Sequence, residues 1–161
     1  MKRSAAIITL GLAGLAQAEP PDVEYVYPAG GQRGTTLQIR VGGHYLHGQA
    51  NFEMLGSGVK FKPVIKRTET IWFEGPMIQQ PLSSKKEDYP KDHLGEISIA
   101  NEADLGHRMW RCWTSQGATR PLKFVIGDLP EITEHEIVGN PIPRKVALPV
   151  TINGRIFPRE D

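Results

Sequence analysis

The chain has 161 residues, 39% of them apolar, with 19 lysines and arginines, 18 aspartates and glutamates and one cysteine. A formal charge of +1 without a basic stripe gives no electrostatic case for nucleic acid, and a single cysteine rules out an intramolecular disulfide. Stability therefore has to come from a packed core.

Residues 1–18 read as a leader. Lys2 and Arg3 make a basic start, 5–16 is an uncharged and mostly apolar run, and Ala16-Gln17-Ala18 places small residues at a cleavage position. This three-part pattern predicts a secretory signal peptide cut before Glu19. The run is shorter than the roughly 20 apolar residues of a stable membrane anchor. The expected location is secreted, periplasmic or cell-surface, with no stable membrane anchor after cleavage. Loss of Lys2 and Arg3 takes the formal charge from +1 to −1.

Glu19-Pro20-Pro21-Asp22 is a stiff polar lead-in to a first strand over 23–27. Pro28 fixes φ, and Gly30, Gly31 and Gly34 are expected to supply the φ > 0 conformations of tight turns. Residues 35–41 then alternate. Thr35, Leu37, Ile39 and Val41 share one face, and Thr36, Gln38 and Arg40 the other. Gly42-Gly43 is expected to end this strand, with Tyr45 and Leu46 as an apolar plug. In 50–55, Ala50, Phe52 and Met54 share a face. In 59–65 an alternating run contains Pro63, which predicts an edge position or a break.

Residues 68–73 are β-prone, with Ile71 and Phe73 opposed to Trp72, and 81–95 is polar and of mixed charge, so it is expected to be a long surface loop. Alternation resumes at 96–100. It is clear in 107–114, where Met109, Arg111 and Trp113 oppose Trp110, Cys112 and Thr114, and again in 122–126. After the leader no window carries a helical period, and turn signals recur about every 8–12 residues. The fold class is all-β, with 19–127 expected to form an immunoglobulin-like β-sandwich. Residues 128–145 read as an acidic, then Pro-rich linker. Residues 146–161 turn β-prone again, with Asn153-Gly154 as a hairpin signal, and too few strands to bury a core of their own.

The run PAGGQRGTTLQIRVGGHYL (28–46) resembles the opening of IPT/TIG-type immunoglobulin-like domains, with its Pro, its Gly-Thr pair, its alternating strand and its Gly followed by an aromatic. EISIANEADLGHRMWRCWTSQGATRPLKFVIG (96–127) resembles the end of the same domain, and the likeness covers 23–127. In the tail, LPVTINGRIFPRED (148–161) is similar to the first strands of a bacterial pre-peptidase C-terminal domain, although Glu134-His135-Glu136 stands where that family has Glu-Pro-Asn-Asp. Together the two resemblances imply the N-terminal piece of a large exported bacterial protein, ending just inside its second domain, 146–161.

Chemistry needs convergent groups, and each candidate has a bland alternative. His44 and His47, with His93, His107 or His135, have zinc-ligand chemistry, but a three-residue spacing on a strand puts the first two on opposite faces, which favours loop histidines. Cys112 lies on an alternating strand and reads as a core thiol rather than a nucleophile. Ser57 and Ser115 fall in turns without a Gly-x-Ser-x-Gly setting. Glu131, Glu134, Glu136 and Asp128 are oxygen ligands suited to calcium, or simply a solvated acidic linker. No catalytic, cofactor or metal residue is assigned.

Trp72, Trp110 and Trp113 remain as candidate ligand or interface contacts. Trp110 and Trp113 occupy opposite faces of one strand, so both cannot fill the core, and exposed aromatics serve sugar rings and protein interfaces alike. The expected function is an exported, non-catalytic module for spacing, docking or protein interaction, with neighbouring protein or downstream domains as partners. A carbohydrate-binding module, with polysaccharide as its partner, is the first alternative. The accessory N-terminal region of a secreted hydrolase or peptidase is the second.

Overall fold

The computed structural model describes residues 19–70, 90–134 and 143–154. The expected leader, the 71–73 half of the β-prone run with Trp72, and His135 and Glu136 lie outside the described residues. Those described fold entirely as strands, turns and loops. In chain order the strands are β1 (Asp22–Tyr27), β2 (Gly30–Gln32), β3 (Thr36–His44), β4 (Gln49–Leu55), β5 (Val59–Phe61), β6 (Val64–Arg67) and β7 (Lys91–Ile99). They continue with β8 (Gly106–Thr114), β9 (Gly117–Ala118), β10 (Leu122–Gly127), β11 (Glu131–Thr133) and β12 (Thr151–Asn153).

Ten of these strands make one sheet in the order β1-β3-β7-β6-β4-β8-β10-β2, with β5 added on β7 and β9 on β8. The pairings are antiparallel except that of β2 with β10. Alternation decides which side chains go inward. Val23, Ile39, Val41, Ile97 and Ile99 from β1, β3 and β7 join Phe52, Met54, Trp110, Cys112, Phe124 and Ile126 from β4, β8 and β10 in a single buried cluster. The sheet therefore curls so that its two halves face each other, as in a β-sandwich or partly open barrel. Each fully buried large side chain contributes about 1.5–3 kcal/mol of hydrophobic stabilisation.

The chain passes from one half to the other at Tyr27-Pro28, a cis peptide bond: β1 before it pairs with β3, and β2 after it runs parallel to β10. Here the glycines act differently from expectation. Gly34 does take a positive φ of 76°, but Gly30 and Gly31 lie in a strand. At Gly31 the requirement is closeness, since a Cβ would stand 2.7 Å from Ile99 Cδ1. Gly42 and Gly43 likewise do not end β3, which continues to His44. Gly42 is instead the floor for the Tyr25 ring, whose atoms occupy the place a Cβ would take.

Pro63 breaks its run as the missing N–H requires. Before it, Val59–Phe61 pairs with β7; after it, Val64–Arg67 pairs with both β4 and β7, and the Pro63 carbonyl accepts from Phe52 N at 2.9 Å. Residues 68–70 are not strand. The larger correction concerns the stretch read as a surface loop. Its last five described residues, from Lys91 on, belong to the nine-residue β7, and Lys91, Asp92 and His93 are buried. Hydrophobic patterning could not show this, because the buried residues there are polar, Asp92 held by Tyr25 and Arg40 and His93 by main-chain carbonyls.

In the tail, the residues that would form the second arm of the expected Asn153-Gly154 hairpin lie outside the described residues, and Thr151–Asn153 is the described strand. It runs parallel to Glu131–Thr133, within the stretch read as linker, and forms a separate two-stranded sheet.

Candidate functional site

The end of the sandwich where β3 turns into β4 carries most of the polar chemistry. Tyr45 and His47 hold φ of 56° and 58°, left-handed values that non-glycine residues adopt rarely. They flank Leu46, which is buried and plugs the core as expected. The His47 ring reaches the β8–β9 turn, with Nε2 3.3 Å from Gln116 Oε1, and the same oxygen accepts from Thr114 Oγ1 at 2.9 Å.

Trp113 lies between these two loops. It is half-buried and lines a shallow cavity of about 200 Å³ with Gln49, Asn51, Gln116 and His47. Trp110 corrects the expectation of a ligand contact. It is fully buried, its ring centroid stands 5.8 Å from that of Phe52 at an interplanar angle of 29°, and it presents no face to solvent. Its indole N–H is buried without a partner, the cost of placing a large polar-edged aromatic at the centre of the core.

On β1, β3 and β7 stands a polar group that the hydrophobic pattern did not signal. Register places Tyr25, Gly42 and Asp92 side by side on β1, β3 and β7. Across the bare Gly42, the Tyr25 hydroxyl donates to Asp92 Oδ1 at 2.6 Å, while Arg40 Nη1 donates to Oδ2 at 3.0 Å. The Asp92 main chain is held as well, its N–H donating to Thr70 Oγ1 and its carbonyl accepting from Thr68 N. A carboxylate with no solvent exposure is tolerated because each oxygen has a donor. The one available signal was parity: Lys91, His93, Gly95, Ile97 and Ile99 share a face, so the β period runs back from Ile97 into the polar stretch.

The remaining candidates do not converge. His44 pairs with Glu24, 2.8 Å from Nε2 to Oε1, His93 faces the His47 carbonyl, and His107 is exposed on β8. Among the described residues no three metal-ligating side chains gather. Burial pushes the Cys112 thiol up to about 12, so it stays protonated and unreactive near neutral pH. Ser57 offers its carbonyl to Arg108 Nε at 3.1 Å, and Ser115 lines the Trp113 cavity.

The acidic residues disperse too. Asp128 faces Arg33 at 3.9 Å, the Glu131 carboxylate accepts from the Asn153 amide, and the Glu134 carbonyl accepts from the Tyr27 hydroxyl at 2.7 Å. Glu131 is partly desolvated, which raises its carboxyl above the ordinary value, and the Asn153 bond opposes that rise. No helix of the described residues is long and apolar enough to cross a membrane. Neither a protein-family model nor a curated protein matches the chain.

Proposed function

We propose that the chain is an exported, non-catalytic immunoglobulin-like module of IPT/TIG type that spaces and docks a neighbouring domain or protein. Strand order supports the immunoglobulin-like reading: β1, β3 and β7 lie together, as do β4, β8 and β10, and the opening strand is shared between the two groups. The observation that carries the docking role is the β11–β12 pair. It is fixed to the sandwich by polar contacts, through the Tyr27 hydroxyl and through Ala29 N donating to Asn153 Oδ1 at 3.1 Å. It nevertheless leaves Ile152 and Leu148 exposed. Two strands cannot bury a core, and a small sheet with exposed apolar side chains suits a further strand from a neighbour.

Carbohydrate binding is a second reading, favoured by Trp113. A half-exposed indole beside the amides of Gln49, Asn51 and Gln116 combines a stacking face with planar hydrogen-bonding groups. Affinity electrophoresis through immobilised polysaccharides, on protein recovered from the exported fraction, separates the two. Unretarded migration together with an N-terminus at Glu19 is expected for a spacing module. Retardation that disappears in Trp113→Ala, with the fold intact, would overturn that reading in favour of sugar binding.

A further inference from the structure

Asn153-Gly154, a turn signal in the sequence, carries a second chemistry. The side-chain amide of an asparagine is an electrophile for the main-chain nitrogen of the next residue, and glycine, with no Cβ, leaves that nitrogen open to it. The chain has four asparagines. Asn51 precedes Phe52 and Asn101 precedes Glu102, whose side chains crowd the approach, and Asn140 precedes Pro141, which has no N–H to give up. Asn153 alone precedes glycine.

The structure shows what that amide holds. Its Oδ1 accepts from Ala29 N at 3.1 Å, and its Nδ2 donates to the Glu131 carboxylate. The Asn153 carbonyl accepts from Glu134 N at 2.8 Å and from the Tyr27 hydroxyl at 3.2 Å. One residue thus ties β12 both to β11 and to the sandwich. In this docked state Asn153 is extended, as part of β12, and both ends of its amide are engaged, so Cγ cannot swing over the Gly154 nitrogen to close a ring. The ties are hydrogen bonds of small net worth, and Leu148 and Ile152 stay exposed, so the tail opens more readily than the core.

Ring closure exchanges an amide for a carboxylate. The Gly154 nitrogen gives its proton to solvent base and bonds to Asn153 Cγ, the Cγ–Nδ2 bond breaks, and Nδ2 leaves as ammonia. Water then opens the cyclic imide at either carbonyl, giving aspartate or isoaspartate with no oxidation or reduction. The product has no N–H to donate to Glu131. It sets a new carboxylate against that of Glu131, whose carboxyl burial already raises above its ordinary value. Glu134 adds a further one, its Oε2 standing 2.6 Å from where a Cβ on Gly154 would lie. Like charges this close repel, and isoaspartate also reroutes the main chain through the former side chain, which breaks the β11–β12 register.

We propose that Asn153-Gly154 is a site of spontaneous deamidation that reacts when the tail opens and then keeps it open, a one-way release of β11–β12 from the sandwich. The site depends on neither reading of the module's function.

Peptide mapping by mass spectrometry, on the folded protein held at mildly alkaline pH over time, tests it. Conversion at Asn153 ahead of Asn51 and Asn101 is expected. Tyr27→Phe, which loosens the tail, should speed that conversion about fivefold. Asn153→Asp supplies the product directly, and should speed amide exchange at 131–134 and 151–154 about tenfold while Phe52 and Trp110 exchange as before. Earlier conversion at Asn51 or Asn101, or an unchanged rate in Tyr27→Phe, overturns the proposal. So does tail exchange in Asn153→Asp that is unchanged, or faster exchange that extends to Phe52 and Trp110.

Discussion

The ten-stranded sheet and the two-stranded tail are built from similar β-prone segments, yet they are held in opposite ways. In the sheet, inward residues such as Phe52, Trp110, Phe124 and Ile126 are at most 1% exposed. In the tail, Ile152 is 56% and Leu148 83% exposed, and its attachment is polar, through Tyr27, Ala29 and Asn153. The difference lies in what covers each segment. An alternating strand becomes core only when a second layer closes over its apolar face, and otherwise it holds its place by hydrogen bonds whose net worth is small.

The strongest way to break this comparison is Phe52→Ala. It removes a ring that stacks on Trp110 and meets Phe61 edge-on, and should destabilise the sandwich by about 3–5 kcal/mol. Urea unfolding followed by tryptophan fluorescence measures this. A loss below about 1 kcal/mol would mean that the core is loosely packed.

Tyr27→Phe should act on the tail alone. Losing the hydroxyl bonds to Glu134 O and Asn153 O at 2.7 and 3.2 Å is expected to cost about 1 kcal/mol of docking. Faster amide exchange at 131–134 and 151–154, with exchange at Phe52 and Trp110 unchanged, is the expected pattern. Faster exchange throughout would show that tail and sandwich unfold as one unit.

The smallest effect is the most diagnostic of how the tail is held. Burial raises the Glu131 carboxyl above its ordinary value of 4.5, so the docked tail binds a proton more tightly than the undocked one. Its contribution to docking is then fullest below the ordinary carboxylate range and is lost as pH rises through the raised value. Glu131→Gln keeps an oxygen to accept from Asn153 and carries no charge. It should slow exchange of the tail amides slightly at neutral pH and remove the acid-side gain, with rates corrected for intrinsic exchange. A faster-exchanging tail in Glu131→Gln would show that the charge itself anchors Asn153.

The site was less legible in the sequence than the fold. Alternation showed that Trp110 and Trp113 cannot both fill the core, and the structure decides between them, leaving Trp113 half-exposed while Trp110 is buried. Lys91, Asp92 and His93 could not, because a strand that buries polar groups has the composition of a loop. Their placement depends on Tyr25, Arg40 and Arg67, which are distant in sequence and adjacent only through strand register.

Local alternation and the absence of any helical period after the leader pointed by themselves to an all-β fold and sorted the residues of β3, β4, β8 and β10 onto two faces, and Pro63 pointed to an edge or a break in its strand. Those properties follow from the two-residue period and from the missing N–H of proline. Tertiary structure alone decided that β1 and β2 serve opposite halves of the sheet, that Gly31 and Gly42 are needed for close approach, and that a polar stretch becomes a buried strand. Each of these depends on which distant segment supplies the covering atom or the hydrogen-bond partner, and a one-dimensional pattern carries no record of that partner.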